Sequence, residues 1–383
     1  MKGCDSLRGI WNIVADYIRE CDKFLFILCI TAGGFGCVAV WSATNYIGSN
    51  RQFFTQTITL FIGIIGVVVV SSIDYNNYKK LLPIIILVGL VPVILTFFIG
   101  FAPEGTDDKA WLRLPGGLTF QPAELLKIAF IITFSIHLER VGERINNLKY
   151  LIPLCIHGAF PVVLVHFQGD DGTAMIFAAI MLLMLYAAGL KARYFIILIV
   201  AVLIAAPLIY FLVMNDDQQA RLQSIFDLED DLQGSDWQQW RGRIALANGG
   251  WFGKGLFKGP LTQLGDVPES YNDFIFVSIG EELGVVGCLL CIALLAAICF
   301  RTLRIGSMAR EKRGKLMCVG AFAMLFSQII INLGMCLSIT PVIGVPLPFF
   351  SAGGTALVCL FGGMGIIMSV YMHRNSRHLR LYD

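Results

Sequence analysis

Long apolar runs dominate the chain. Phe24–Thr44, Gln52–Ile73 and Leu81–Pro103 each pass without an Asp, Glu, Lys or Arg, as do Tyr150–Gly169, Gly172–Leu190 and Tyr194–Asn215. Leu316–His373 also has none and is long enough for two crossings with a connector. Gln121–Leu138 and Phe274–Phe300 are as apolar but carry charges. About 20 apolar residues cross a bilayer core as a helix. The pattern therefore predicts an all-α polytopic membrane protein of ten transmembrane helices, forming one domain over residues 1–383. The expected spans are 24–44, 52–73, 81–103, 121–138, 150–169, 172–190, 194–215, 274–300, 316–339 and 350–373. A large loop, 216–273, separates helices seven and eight.

Composition agrees. Of 383 residues 56% are hydrophobic and only 15% charged, against about a quarter charged in soluble domains; the mean hydropathy is +0.73. The net charge of +2, with no polybasic tail or nucleic-acid motif, gives no reason to expect a nucleic-acid partner. Charge placement says more. With the N-terminus inside, 20 of the 29 Lys and Arg residues fall in inner segments and eight in outer ones. By the positive-inside rule both termini are cytoplasmic, and the long loop and Asp273 face outward. Residues 1–23 are amphipathic and mixed in charge, and the first apolar run is too long for a signal peptide, so they read as a cytoplasmic lead-in. None of the 11 cysteines lies in an outer loop, so no disulfide framework is expected. Cys288-x-x-Cys291, mid-span and without a second pair, reads as packing.

Three outer segments stand out: Pro103–Lys127, the 216–273 loop, and Thr340–Gly354, "TPVIGVPLPFFSAGG". The last is a Pro/Gly-broken apolar link suited to a re-entrant or interfacial course, because broken backbone at membrane depth must be buried in protein or line a cavity. "NGGWFGKG", Asn248–Gly255, matches neither nucleotide-binding glycine motif. It reads as a flexible turn, with Lys254 as an anion contact the second reading.

Ionisable residues in membrane helices are costly and default to functional hypotheses. Glu124 and Lys127 share a helix face and are either an internal ion pair or ligand contacts. Asp170 and Asp171 end a span on the outer side, where solvation and function are both open. Asp273 stands at the first turn of span eight, where the positive helix end favours an anion, so capping is the plain alternative to chemistry. Glu281 and Glu282 lie eight and nine residues further on, roughly 12–14 Å deeper. Neither can share a two-carboxylate site with Asp273 on one helix, and both read as structural contacts to neighbouring helices.

"FQPAELLKIA", "GGWFGKG", "NDFIFVSIGEELGVVG" and "PLPFFSAGG", in this order and spread over nearly the whole chain, resemble the SEDS family, the RodA/FtsW/SpoVE group of shape, elongation, division and sporulation proteins. The resemblance implies ten transmembrane helices with cytoplasmic termini. It also implies peptidoglycan glycosyltransferase activity on lipid II and a class B penicillin-binding protein as transpeptidase partner. It makes Asp273 the essential aspartate, Trp111 the tryptophan of the first large outer loop, and Gln121, Pro122, Glu124 and Lys127 the Q-P-x-E-x-x-K element. The family's Q-P-D-L-G-T is only partly matched by "QGDDGT", with Gly169 for Pro and Asp171 for Leu. Further departures are Tyr271 and Asn272, where His and Ser/Thr are usual, and Ala352, where Tyr is usual. They leave an elongation, division or sporulation role open.

The implied reaction is an inverting displacement giving a β-1,4 link, with Asp273 as general base for the GlcNAc 4-hydroxyl. Partial burial at the outer boundary would raise its pKa and strengthen it as a base. Trp111, Glu124, Lys127 and Asp170 are candidate substrate contacts. Arg113, Arg243, Lys254 and Lys258 are outer-face cations suited to the pyrophosphate, and a divalent cation, Mg2+ or Mn2+, could assist. Hydrophobic grooves between spans would hold the polyprenyl chains, and membrane lipid is a further expected partner. A lipid II flippase or other transporter, depending on mid-membrane charges, and a non-catalytic scaffold for the penicillin-binding protein are the alternatives.

Overall fold

The computed structural model describes residues 17, 19–102, 108–114, 118–212, 214, 219 and 235–374. In chain order the helices are α1 (Lys23–Ala43), α2 (Arg51–Ser72), α3 (Leu82–Ile99), α4 (Pro122–Val141), α5 (Leu148–His166), α6 (Asp171–Ala188), α7 (Ala192–Leu212), α8 (Ser235–Gly249), α9 (Pro260–Leu264), α10 (Ile275–Met308), α11 (Lys312–Cys336) and α12 (Gly354–Met372). A short hairpin, β1 (Leu112–Leu114) with β2 (Leu118–Phe120), lies between α3 and α4. Among the described residues nine helices are long and apolar enough to cross a membrane: α1–α3, α5–α7 and α10–α12. Helix α4 is of similar length and largely buried, but Glu124, Lys127, Glu139 and Arg140 lower its hydropathy. All-helical spans are what the bilayer demands, since every backbone group must be bonded within the protein.

The helices follow the predicted runs with shifted ends. Helix α3 stops at Ile99, short of the expected Pro103, where Gly100 turns extended and its N–H bonds the Thr96 carbonyl. Helices α4 and α10 run past their expected ends at Leu138 and Phe300, because charged residues end an apolar run without ending a helix. Helix α12 begins at Gly354, not residue 350, because Leu347–Gly353 is folded as turns. Most of the acidic first half of the 216–273 loop lies outside the described residues.

Of these nine spans, α11 and α12 are the most buried and α7 the least. Small residues let α12 close on its neighbours, as expected where lipid offers no hydrophobic gain over protein. A Cβ at Gly63 of α2 would lie 2.9 Å from the Phe361 ring, and one at Gly365 would lie 2.9 Å from Val70. At the end of the bundle that carries residues 73–81 and 309–311, ion pairs tie the helices: buried Asp22 with Arg301, and Glu139 with both Lys79 at 2.8 Å and Arg313 at 3.7 Å. The opposite end holds the hairpin, α8, α9 and the 337–353 link.

One span is broken. Gly284 in α10 adopts φ +68° and ψ −166°, which interrupts the helical hydrogen-bond ladder. The glycine-rich segment after α8 repairs it. The Glu281 and Glu282 carbonyls accept from the N–H groups of Lys254 and Gly255, at 3.0 and 2.9 Å. The N–H groups of Val285 and Val286 donate to the carbonyls of Gly250 and Trp251, at 2.9 and 3.2 Å. "NGGWFGKG" is therefore not a flexible turn. It is a wedge whose backbone replaces bonds that α10 has lost, and its glycines permit the approach: a Cβ at Gly253 would stand 2.1 Å from the Glu282 carbonyl oxygen.

Gly284→Ala should be among the most damaging single methyl additions in the chain. It combines a backbone conformation open essentially to glycine alone (φ +68°, ψ −166°), costing about 1–3 kcal/mol, with a Cβ 2.4 Å from the Gly253 nitrogen. Gly48→Ala is the comparison, with the same φ of +68°, a ψ of 12° in the milder left-handed region and open space around it. Thermal unfolding in detergent should show a clearly larger loss for Gly284→Ala; equal losses would refute the wedge.

Candidate active site

The site is built where the 337–353 link crosses the start of α10. Three successive carbonyls are held. Ala352 N–H donates to Tyr271 at 2.8 Å, Ser351 Oγ to Asn272 at 2.8 Å, and Asn332 Nδ2 to Asp273 at 2.8 Å. Asn332 also donates to the Val345 carbonyl at 2.7 Å, and Gln56 of α2 donates to the Ser351 carbonyl at 3.0 Å. The link is tightly folded, with Ser338, Gly344 and Phe349 all at positive φ. The two places where this chain departs most from the motif thus meet: Ala352 bonds the residue that carries the Tyr271 ring.

The Asp273 carboxylate lies over Gly344, where a Cβ would be 3.4 Å from Oδ2. Helix α10 has no side-chain cap, its N-cap being Phe274, so Asp273 does not spend its oxygens on capping. Its side chain is half-buried. Burial first, and then the Glu269 and Asp170 carboxylates, push its pKa up to about 7. Glu269 was not singled out in the sequence, because only the fold turns it back on Asp273. Its φ is +52°, its carbonyl accepts from the N–H groups of Asn272 and Phe274, and its Oε2 accepts from Asn272 Nδ2 at 2.5 Å.

Asp170 caps α6: Oδ1 accepts from Thr173 N–H at 2.9 Å and Oδ2 from Gln121 Nε2 at 2.6 Å. Burial raises its pKa, and the Thr173 hydrogen bonds and Lys127 oppose the rise. Gly172 lies against the link, with its Cβ position 2.6 Å from the Ile343 carbonyl oxygen, which brings the start of α6 to the Asp273 region. Lys127 and Glu124 form a buried ion pair at 2.8 Å one turn below Gln121. The structure therefore joins Gln121, Glu124, Lys127 and Asp170 into one cluster beside Asp273.

The other candidates lie further out. Trp111 is half-buried at the base of the hairpin, where its carbonyl accepts from Phe101 N–H at 3.0 Å. Exposed Arg113 packs its guanidinium 4.5 Å from the Phe101 ring centre, at the rim of an open apolar groove of about 470 Å³ with Leu95, Ile99 and Leu112. Thr355 Oγ1 donates to the Thr119 carbonyl at 3.0 Å, tying this hairpin to the start of α12, which directly follows the link. Arg243 is exposed on α8, next to Gly242, which packs on Phe274. Lys254 and Lys258 are not brought to Asp273: the wedge fixes Lys254 beside Glu281, eight residues along α10. Asp171 pairs with His166 at an exposed site.

Glu281 and Glu282 are fully engaged. Glu281 accepts from the N–H groups of Leu261 and Thr262, at 3.0 and 2.8 Å, capping α9. Glu282 accepts from Ser42 Oγ at 2.5 Å and Gln263 Nε2 at 2.8 Å. Apart from Ser42 of α1, they bond the folded loop rather than neighbouring spans. Among the described residues no group of three or more His, Cys, Asp or Glu side chains is placed to hold a metal. A divalent ion here would rely mainly on substrate phosphate and water, as Mg2+ often does.

Two expectations follow. A carboxyl group whose folded pKa is raised makes folding less favourable as pH climbs from its ordinary value, near 4, to its folded value. Asp273→Asn should therefore melt above wild type at pH 8, with the gap closing near pH 4; a gap independent of pH would refute the raised pKa. Removing one partner of the buried pair, by Lys127→Met or Glu124→Gln, should cost about 3–5 kcal/mol, and the double substitution should cost less than the sum. Chemical denaturation of the four proteins measures this, and additive losses would show the pair to be uncoupled.

The sequence profile of the FtsW/RodA/SpoVE family, described as cell cycle protein, matches residues 22–376. The chain is 32% identical over 356 residues to the peptidoglycan glycosyltransferase MrdB of Escherichia coli K12, covering 92% of this chain and 94% of that protein. It is 29% identical over 361 residues to a probable peptidoglycan glycosyltransferase FtsW of Geobacter metallireducens, covering 92% and 95%. Two solved structures share the fold at 22% identity, covering 93% of this chain and 98% of theirs. One, with a TM-score of 0.80, comes from work on the structural coordination of polymerization and crosslinking by a peptidoglycan synthase complex; the other, at 0.69, is the rod shape determining protein RodA of Thermus thermophilus. This chain belongs to the FtsW/RodA/SpoVE family.

Proposed function

We propose that this protein is a peptidoglycan glycosyltransferase that joins lipid II units into β-1,4 glycan at the outer face of the cytoplasmic membrane. The observation that carries the reading is Asp273: a half-buried carboxylate fixed through its backbone, with a pKa of about 7 and oxygens not used for capping. The named relatives give the reaction class. In the reaction the 4-hydroxyl oxygen of the acceptor GlcNAc attacks the donor's anomeric carbon. Asp273 takes the hydroxyl proton as the new C–O bond forms, and the bond to undecaprenyl pyrophosphate breaks with inversion. A base with a pKa near the working pH combines a large ionised fraction with useful basicity.

Lys127, held by Glu124, and Asp170, held by Gln121, shape the floor of the sugar site, and Trp111 borders it. Arg113 and Arg243 are the cations assigned to the pyrophosphate, with a divalent ion as counter-charge. The positive-inside pattern supports cytoplasmic termini and an outward-facing site. A class B penicillin-binding protein is the expected cross-linking partner, in keeping with the synthase complex that shares the fold.

Purified protein, alone and with its partner, given lipid II and Mg2+ or Mn2+, should make glycan polymer, and Asp273→Ala should lower the rate by about 10²–10⁴-fold. The wild-type rate should fall tenfold per pH unit on the acid side of about pH 7. Absence of polymer from wild type, or undiminished polymer from Asp273→Ala, would overturn the enzyme reading and favour a flippase or scaffold.

A further inference from the structure

The wedge that repairs α10 carries side chains that its repair role does not use. Trp251 and Phe252 are 71% and 83% exposed, and Lys254 and Lys258 are exposed beside them. The backbone beneath is over-determined. Besides the four bonds at the Gly284 break, Phe257 N–H donates to Ser42 Oγ at 2.9 Å and its ring packs 5.0 Å from Trp41. Phe257 also sits at φ +61°, a conformation that a non-glycine residue holds only where its surroundings enforce it. Rigid backbone therefore presents two bare aromatic rings and two ammonium groups on one turn. The stem of Lys258 folds over Gly255, with its Cδ 3.4 Å from the glycine's Cβ position, so the two lysines flank one residue. Among the described residues no carboxylate pairs with either ammonium.

The depth of this turn follows from α10. Arg301, paired with Asp22, marks one hydrocarbon boundary. Twenty residues separate it from Glu281, about 30 Å at 1.5 Å per residue, which is the thickness of the hydrocarbon core. Lys254, bonded to the Glu281 carbonyl, is then level with the opposite boundary, and Trp251, bonded to Val286, lies about 7 Å inside it. From Val286 a lipid-facing stripe continues down α10 through Leu289 and Leu290, each at least half exposed, to Phe300.

We propose that this turn is a binding site for an anionic phospholipid of the outer leaflet. Lys254 and Lys258 take the headgroup phosphate, Trp251 and Phe252 pack against the upper part of the acyl chains just inside the boundary, and an acyl chain lies along Val286, Leu289 and Leu290. Charge complementarity selects the lipid: two ammonium groups without acidic partners, at the height where phosphates lie, attract negative headgroups. Aromatic rings near the membrane–water interface are the usual anchors beside such a headgroup site. The proposal does not depend on the polymerase reading.

The test is native mass spectrometry of the full chain released from nanodiscs of phosphatidylcholine with graded phosphatidylglycerol. Wild type should retain phosphatidylglycerol in preference to phosphatidylcholine, and the K254Q/K258Q protein should lose that preference by about tenfold or more. W251A/F252A should shed both lipids more readily. Melting temperatures in detergent, expected to match wild type for K254Q/K258Q, separate lost binding from lost folding. Equal retention of the two lipids by wild type, or unchanged preference in K254Q/K258Q, would overturn the proposal. So would displacement of phosphatidylglycerol by equimolar undecaprenyl pyrophosphate, which would give the turn to the substrate lipid. Phosphatidylglycerol bound only in the absence of a penicillin-binding protein, with that protein's helix cross-linking to Leu289, would make the stripe a protein interface and likewise overturn it.

Discussion

A peptide group away from water, in hydrocarbon or inside packed protein, has no solvent to bond, so irregular backbone survives there only if protein supplies the missing partner. That constraint organises the functional half of this molecule. Helix α10 is interrupted at Gly284, and the 249–255 segment returns donors to its freed carbonyls and acceptors to its freed N–H groups. The start of the same helix is crossed by the 337–353 link, whose Ala352 N–H and Ser351 hydroxyl take the carbonyls of residues 271 and 272, while Asn332 of α11 takes that of Asp273. The carbonyls of residues 272 and 273 thus depend on the Ser351 and Asn332 side chains. The 249–255 segment, in contrast, is fastened to α10 by backbone bonds, and the Ala352 N–H to Tyr271 carbonyl bond is likewise insensitive to side-chain identity. This allows the chain to carry Tyr271 and Ala352 in place of the usual residues while keeping the frame around Asp273.

The frame also explains why three carboxylates on one helix differ. Glu281 receives two backbone N–H groups and Glu282 receives a hydroxyl and an amide. A buried carboxylate bonded in this way is a structural clamp, because removing its donors would strand a charge. Asp273 is fixed through its carbonyl, and its side chain caps nothing. Desolvation then acts on it unopposed by nearby cations, and two neighbouring carboxylates add to the rise. The sequence placed Asp273 apart from the two glutamates by depth and helical phase; what separates them physically is how many donors each one receives.

Much of the architecture was legible in the sequence, since apolar runs of about 20 residues have one stable outcome in a bilayer. The ends were less so, because Glu139, Arg140 and Arg301 stop an apolar run but not a helix. The hidden features are those made by distant pairing. Nothing local told that Gly249–Gly255 would fill a gap at Gly284, nor that Asn332 and Ser351 would hold the carbonyls around Asp273. Glu269, four residues before Asp273, carried a readable signal in its proximity, but its turned-back geometry depends on a positive φ that a glutamate rarely adopts. Lys254 and Lys258 passed as pyrophosphate ligands on sign alone, and the wedge moved them.

The distribution of charge bears on how an inverting transfer could be arranged here. Lys127 is neutralised by Glu124, so the field around Asp273 is set largely by Asp170 and Glu269, both carboxylates. A pyrophosphate brought against that group would be repelled. Inversion puts the attacking hydroxyl and the departing oxygen on opposite faces of the donor sugar, so base and leaving group are separated by the width of a ring. In the proposed reaction the acceptor hydroxyl therefore lies on the Asp273 side, and the pyrophosphate lies towards cations outside the carboxylate cluster. Arg113 meets that requirement best: it is exposed, stacked on Phe101 and set at the rim of an apolar groove suited to a polyprenyl chain. In the proposed reaction the carboxylates that add to the burial-driven rise in the Asp273 pKa would thereby also direct where the leaving group sits.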